Sequence, residues 1–384
     1  MSDHIKHTPL VKPVIGNFGW NELAILGTPC HNIQKLAFDI IKMLNNELNI
    51  GYVDADHKHS EGDAVDLVGA IHSGAKIDFT DKISHLQISR AWNDNPFQIK
   101  KIFSDQDLVL VNGNHFVASR QILVIDPKKD LMKKLDRITD VSMILLKDPG
   151  MPIPDFLKTH IKNFKEVPIY SYDDTEIIAK QIKAELNAKI PEIKGLVLAG
   201  GKSTRMHQDK GLINYHGLPQ REYAAELISR FCSEVFISCQ PEQTGSIGSK
   251  FTALPDSFSG LGPFGGIVSA FRQDPNAAWL VVACDLPYLD KSTLDFLISR
   301  RNPSKIATSF WDSDHKFPEP LITIWEPKAY SELLYFLSLG HSCPRKVLIN
   351  SDIELVDAPD LHSLTNVNNP EEMKAVMNNI NNAG

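Results

Sequence analysis

The chain has 384 residues, 42% of them hydrophobic and 23% charged, with a formal net charge of −7 at neutral pH. This length supports two or three domains with sizeable cores, and the acidic balance excludes a chain-wide nucleic-acid surface, so an anion site must be a local basic pocket. The five cysteines form no CxxC pair and are odd in number, as expected of reduced thiols in a cytoplasmic protein. Residues 1–20 hold no apolar signal core and no stretch is long enough to span a bilayer, so no membrane role is expected.

Strand and helix patterns alternate through the first half. Glu22–Leu26 reads as a short apolar strand, and Ile33, Leu36, Ala37, Ile40, Ile41 and Leu44 have helical spacing over 33–48. Further strands are expected at 49–56, 85–89, 107–113, 121–126 and 141–148, giving a mostly parallel sheet covered on both faces. A proline-rich stretch from Asp148 follows, then a charged amphipathic helix from Asp173 that stops before Pro191. The domain break is placed between Ala188 and Lys194, giving an α/β domain over 1–190 and a second over 191–384.

The second half restarts the pattern. Strands are expected at 194–200, 234–240, 251–256, 279–285, 305–310 and 320–325, with helices at 219–232, 264–273, 291–301, 329–339 and 370–380. The two halves share a class but no residue-level repeat.

The stretch GLVLAGGKSTRMHQDKGLI, Gly195 to Ile213, carries the most chemistry. Its strand delivers the chain to the carboxyl edge of a sheet, where open α/β folds bind ligands. Gly200 and Gly201 let backbone amides face an anion, and Lys202, Arg205 and Lys210 add positive charge suited to phosphates. Neither a Walker loop nor GxGxxG is present. By itself the stretch is also compatible with a basic surface turn.

Other strand ends offer carboxylates. Asp285 closes the apolar run before Pro287, as a Mg²⁺ ligand facing a polyphosphate or as the cap of the following helix. Asp256 ends the strand in LPDSFSG and is also compatible with an Asx turn. Gly260–Ile267 is a glycine-rich turn opening a helix, whose amides face a substrate or merely start the helix. Asn369 before Pro370 is a good N-cap. His341, Arg345 and Lys346 sit in a basic stretch that reads as a solvated helix start or as cationic neighbours for a phosphate, and Cys343 has no partner signature.

In order, L-A-G-G-K-S-x-R-M…D-K-G resembles the signature of nucleotidyltransferases that activate sugars and cofactors, and more closely that of molybdenum cofactor guanylyltransferases, which transfer GMP from GTP to molybdopterin. The likeness runs from Lys194 to about Ile380 and includes LPDSFSGLGPFGGIVSAF, VVACDLPYL, FPEPLITIW and NVNNPEEM. It implies a Rossmann-like α/β/α sandwich that holds the nucleotide through Leu198, Ala199, Gly200, Gly201, Lys202, Lys210, Ser238, Asp256 and Asp285. Lys210, Arg205 and Asp285 would be catalytic, with Asp285 binding Mg²⁺ and Asp256 contacting base or ribose or contributing to the metal site. Asn366 and Asn368 would reach metal or phosphates, and Arg345 and Lys346 the acceptor. Ser238 stands where the family commonly has asparagine, and MHQD replaces a glycine-rich run before Lys210. The implied ligands are GTP, Mg²⁺ and molybdopterin, and the implied partners molybdoenzymes or other cofactor-synthesis proteins.

In the first half, Gly27 sits at the first glycine of a strand–loop–helix phosphate loop, but Asn32, Ile33 and Gln34 occupy the second glycine, lysine and Ser/Thr positions. Nucleotide hydrolysis is therefore not expected there. The region Asn21 to Leu146 resembles the P-loop adaptor of molybdopterin-guanine dinucleotide synthesis, through residues 51–75 and DLVLVNGNHF, with Asn112 in place of an acidic residue. This implies a degenerate P-loop-like adaptor serving a protein partner or molybdopterin delivery. Asp56, His57 and His59 read as a polar loop or a metal site. Cytidyl transfer to molybdopterin and sugar-phosphate nucleotidyl transfer compete as readings, although LAGG favours guanine over the LAAG of cytidylyltransferases. A non-catalytic nucleotide-binding scaffold in cofactor delivery is the reading of another class.

Overall fold

A computed structural model describes residues 18–55, 69–91, 95–200 and 209–383. The chain divides between Ala188 and Lys189 into two units.

The first unit runs β1 (Glu22–Leu26), α1 (Cys30–Leu44), β2 (Ile50–Val53), β3 (Ile77–Asp81), β4 (Leu86–Arg90), α2 (Pro96–Ile102), β5 (Leu108–Asn112), β6 (Arg120–Ile125), β7 (Val141–Leu146), α3 (Asp155–His160), β8 (Ile169–Ser171) and α4 (Thr175–Asn187). Six strands form a sheet in the order β2-β5-β1-β6-β7-β8, every pairing parallel. β1 and β5 are buried along their whole length, as continuous apolar runs must be between two helical layers. On one face Ile25, Leu110, Ile122 and Leu145 meet Ile33, Ala37 and Ile40 of α1 and Ile178 and Ile182 of α4. Helix α1 begins at Cys30, three residues ahead of the expected start, because Pro29 fixes the entry and the first turn is polar.

The strand expected at 85–89 does not join this sheet. Leu86–Arg90 pairs antiparallel with Ile77–Asp81 in a separate two-stranded hairpin. LQISR alternates apolar and polar residues, the period of a strand with one covered face, and lacks the unbroken apolar run of a buried parallel strand.

The second unit runs β9 (Ile193–Leu198), α5 (Gln220–Ile228), β10 (Val235–Cys239), β11 (Thr252–Pro255), α6 (Pro263–Gln273), β12 (Ala278–Ala283), α7 (Lys291–Ser299), β13 (Ala307–Trp311), β14 (Pro318–Trp325), α8 (Ala329–Ser338), α9 (Pro344–Ile349), β15 (Glu354–Val356) and α10 (Pro370–Ala383). Its sheet has the order β11-β10-β9-β12-β14-β13-β15. β9, β10, β11 and β12 are mutually parallel, and β14 runs antiparallel to both its neighbours.

Alternation along the strands builds two cores. Val197, Ile237, Leu280 and Val282 face α5 and α7, whereas Leu196, Phe236, Trp279 and Val281 face α6, α8 and α9 through Phe264, Phe271, Leu333 and Val347. The result is the expected α/β/α sandwich. Among the described residues no helix is long and apolar enough to cross a membrane.

Candidate functional site

In the second unit the chain leaves β9, builds β10 and β11 on one side, and crosses back to place β12 on the other. The reversal opens a crevice outside the carboxyl ends of these strands, the position where doubly wound sheets bind ligands. A cleft of about 410 Å³ lies there. Leu198, Ala199 and Gly200 leave β9 into it, Ser238 comes from β10, Asp256 follows β11, and Asp285 follows β12.

Lys210 and Asp285 form the floor. Lys210 Nζ donates to Asp285 Oδ2 at 3.1 Å and to Asn368 Oδ1 at 2.8 Å. Asn368 reaches this point because the Val367 amide donates to the Asp285 carbonyl at 2.9 Å, while Val367 packs with Ile213, Tyr215 and Val376. Asp285 is not the cap of α7. Asp290 fills that role, accepting from the Thr293 amide at 2.9 Å, so Asp285 is left to the cleft. Among the described residues its Oδ1 is buried without a hydrogen-bond partner. A carboxylate oxygen in that state suits a hard cation, which needs few protein oxygens because it retains water. The neighbouring Cys284 is inert by contrast, its thiol pushed up to about 12 by burial.

The opposite wall carries a second carboxylate. Ser238 Oγ donates to Asp256 Oδ1 at 2.7 Å. Burial raises the Asp256 pKa above the ordinary carboxylate value, against the lowering effect of that hydroxyl. Gly266 of α6 lets the helix close on this wall: a Cβ there would lie 2.7 Å from both Leu198 Cδ2 and Ser238 Oγ.

Both ends of the stretch 201–208 are tied to one short 3-10 turn, Pro241–Ser246, and its cap. Gln240 Nε2 donates to the Gly200 carbonyl at 3.0 Å, and Gln243 Nε2 donates to Asp209 Oδ2 at 3.0 Å. Asp209 in turn accepts from the Gly211 amide and fixes the turn carrying Lys210. The only sequence signal for Gln240 and Gln243 is their three-residue spacing, that of a capping box, which they form.

The structure thus brings together Leu198, Ala199, Gly200, Lys210, Ser238, Asp256, Asp285 and Asn368. Gly201, Lys202 and Arg205 lie outside the described residues, as do Asp56, His57 and His59. Asn366, Arg345 and Lys346 are not in the cleft lining. Arg345 instead donates to Glu319 Oε2 at 3.2 Å, and Lys346 is exposed on α9. Asn369 caps α10, accepting from the Glu372 amide at 2.9 Å.

The edge of the first sheet lacks the residues of a phosphate loop. Gly27 keeps the turn with φ +98°, where a Cβ would meet the Val124 carbonyl oxygen at 2.2 Å. Ile33, at the lysine position, is fully buried against α4 and the sheet. Asn32 turns its amide back onto Thr28 Oγ1 at 2.9 Å.

Residues 195–354 match the model of the MobA-like NTP transferase domain. A molybdenum cofactor biosynthesis bifunctional protein of Synechocystis sp. is 34% identical over 205 residues, which cover 52% of this chain and 59% of that protein. A molybdenum cofactor guanylyltransferase of Shewanella sp. (strain MR-4) is 28% identical over 200 residues, covering 50% of this chain and 98% of the relative. Among solved structures, molybdopterin-guanine dinucleotide biosynthesis protein A from Archaeoglobus fulgidus is 22% identical, with a TM-score of 0.43 over 49% of this chain and 99% of that one.

Proposed function

We propose, from the match of residues 195–354 to the MobA-like NTP transferase domain, that the protein transfers GMP from GTP to molybdopterin and releases pyrophosphate. An acceptor phosphate attacks the α-phosphorus of GTP. It is already ionised at neutral pH, so no general base is needed, and catalysis rests on in-line positioning and charge neutralisation. Lys210, held by Asn368, offsets charge on the α-phosphate and leaving group, with Arg205 assisting. Asp285, through its unpartnered Oδ1, would hold Mg²⁺, which supplies Lewis-acid neutralisation of the phosphates when bound. Ser238 and Asp256 contact base or ribose from the opposite wall, and the amides of Gly200 and Gly201, with Lys202, cradle the phosphates. Asn366, Arg345 and Lys346 belong to the acceptor side of this reading.

The convergence of Lys210, Asn368 and the half-satisfied Asp285 at the foot of one cleft carries the proposal. The first unit, over 1–190, is read as a degenerate adaptor for cofactor-synthesis partners or molybdoenzymes, supported by the core isoleucine at its would-be lysine position.

Pyrophosphate release is to be measured with purified protein, Mg²⁺ and molybdopterin against GTP and CTP in turn. GTP is expected to be favoured by at least about tenfold in kcat/KM, as for a site that hydrogen-bonds its substrate's distinguishing groups. Equal use of CTP would overturn the guanine assignment, and nucleotide binding without pyrophosphate release would leave a scaffold.

A further inference from the structure

The carboxyl edge of the first sheet, stripped of phosphate-loop chemistry, holds different chemistry. Cys30 is the first residue of α1, at a helix start without a side-chain cap. Its Sγ lies 3.2 Å from His115 Nε2 and accepts from Asn114 Nδ2 at 3.4 Å. The same Nε2 is 4.0 Å from Asp54 Oδ1, at the end of β2. Three strands therefore deliver a thiol, an imidazole, an amide donor and a carboxylate to one spot.

The arrangement is held in place from several directions. Asn112 Nδ2 donates to Asp54 Oδ1 at 2.8 Å, and Tyr52 Oη donates to its Oδ2 at 2.6 Å. Asn114 is fixed by Lys134 Nζ, which donates to its Oδ1 at 2.6 Å, and by its own bond to the Thr28 carbonyl. Arg137 Nη1 donates to the carbonyls of Gly113 and Asn114, both at 3.1 Å. The thiol is half-buried yet reachable, and the cationic ends of Lys134 and Arg137 stand beside the loop carrying its partners. Thiols become nucleophiles in electropositive, partly exposed settings next to histidine and a helix start. The nucleotidyl-transfer machinery uses none of these residues.

We propose that Cys30, with His115 as its proton partner and Asn114 as a donor to its sulfur, is a nucleophilic thiol site that takes anionic low-molecular-weight disulfides. The Cys30 thiol gives its proton to His115 Nε2, and the sulfur attacks one sulfur of the ligand. The ligand's S–S bond breaks as the mixed disulfide forms. The departing thiolate collects the proton from His115, so one disulfide is exchanged for another with no net oxidation.

An unassisted thiol is only a few per cent thiolate at neutral pH. Transfer of the proton to His115 as the sulfur attacks is expected to give at least on the order of tenfold in rate over an exposed thiol without such a partner. The chain contains its own comparators. Cys343 is exposed, whereas Cys239 and Cys284 are buried in the second unit and should not react while that unit is folded.

The test uses the full chain, with peptide mapping by mass spectrometry after timed exposure to iodoacetamide and, separately, to glutathione disulfide. Cys30 is expected to alkylate about tenfold faster than Cys343, to gain one glutathione, and to fall to the Cys343 rate in His115→Asn while the amides of β1 and β5 stay protected from hydrogen exchange. Cys30 reacting no faster than Cys343, or an unchanged rate in a folded His115→Asn, would overturn the nucleophile. Rapid alkylation without mixed-disulfide formation would overturn the ligand class. Should His115→Asn lose the exchange protection of β1 and β5, Asn114→Ala takes its place as the variant read against the same outcomes.

Discussion

Replacing Asp285 by asparagine separates catalysis from folding. The carboxylate is 17% exposed and its lysine partner 19%, so the pair is neither fully solvated nor sealed. Partly solvated pairs of this kind contribute about 0–1 kcal/mol to stability. The substitution keeps volume, and Lys210 retains Asn368 Oδ1 at 2.8 Å as an acceptor. The stability change should therefore stay within about 1 kcal/mol, a shift of roughly 2–4 °C in Tm for a unit of this size. The effect on the reaction is far larger. Loss of one preorganised charge-stabilising contact raises a barrier by about 2.7–4 kcal/mol, or 10²–10³ in rate. Single-turnover pyrophosphate release and thermal unfolding, run on the same preparation, give both numbers. GTP with Mg²⁺ at about 100 times Kd should stabilise the parent by about 2.7 kcal/mol, and that gain should shrink in Asp285→Asn. Transfer within a factor of about three of the parent would refute the role of this carboxylate. A collapse of Tm alongside the lost activity would show that Asp285 serves the fold instead.

Two further substitutions test the other wall. Asp256 has its pKa raised by burial, so the native state holds that proton more tightly than the unfolded chain, and stability falls as pH rises from near 3.8 through the raised value. Asp256→Asn should thus unfold at a higher temperature than the parent at pH 7 but not at pH 3, while nucleotide affinity measured by calorimetry weakens about tenfold or more; a lower Tm at pH 7 would contradict the sign. In Gly266→Ala the new Cβ would stand 2.7 Å from Leu198 Cδ2 and Ser238 Oγ, an overpacking worth about 1–3 kcal/mol in thermal unfolding, with weaker nucleotide binding. Parent-like Tm and affinity in that variant would show that α6 is not pressed against the cleft wall.

The cleft was legible in the sequence to the extent that it is built from strand ends. Leu198, Ser238, Asp256 and Asp285 each close an apolar run, and a parallel sheet places all such ends on one edge. Local pattern alone could not bring Asn368 to Lys210, 158 residues away in the chain, because that contact is made by the packing of Val367 and α10. Resemblance made Asn368 a candidate contact to metal or phosphates but did not pair it with Lys210. Apolar content likewise does not encode direction, so the antiparallel course of β14 appeared only in the fold. The three residues of β15 are too few to show a period, and the lone hairpin of β3 and β4 imitates a strand of the main sheet until its alternation is taken seriously. The thiol cluster around Cys30 was illegible for a related reason: its members follow β1, β2 and β5, and only the folded sheet brings those three segments to one spot.

Gly200 and Asp209 stand at the two feet of the segment that carries Lys202 and Arg205, and Gln240 and Gln243 clamp both feet to a single turn. A span whose ends are already pinned together tolerates changes of length cheaply, since doubling such a loop costs only about 0.6 kcal/mol in closure entropy. Insertions, deletions and charge changes between the clamps should leave the sheet beneath undisturbed. Because the clamps hold Gly200 and Asp209 whatever sequence joins them, descendants could vary that sequence without first having to refold the strand ends beneath.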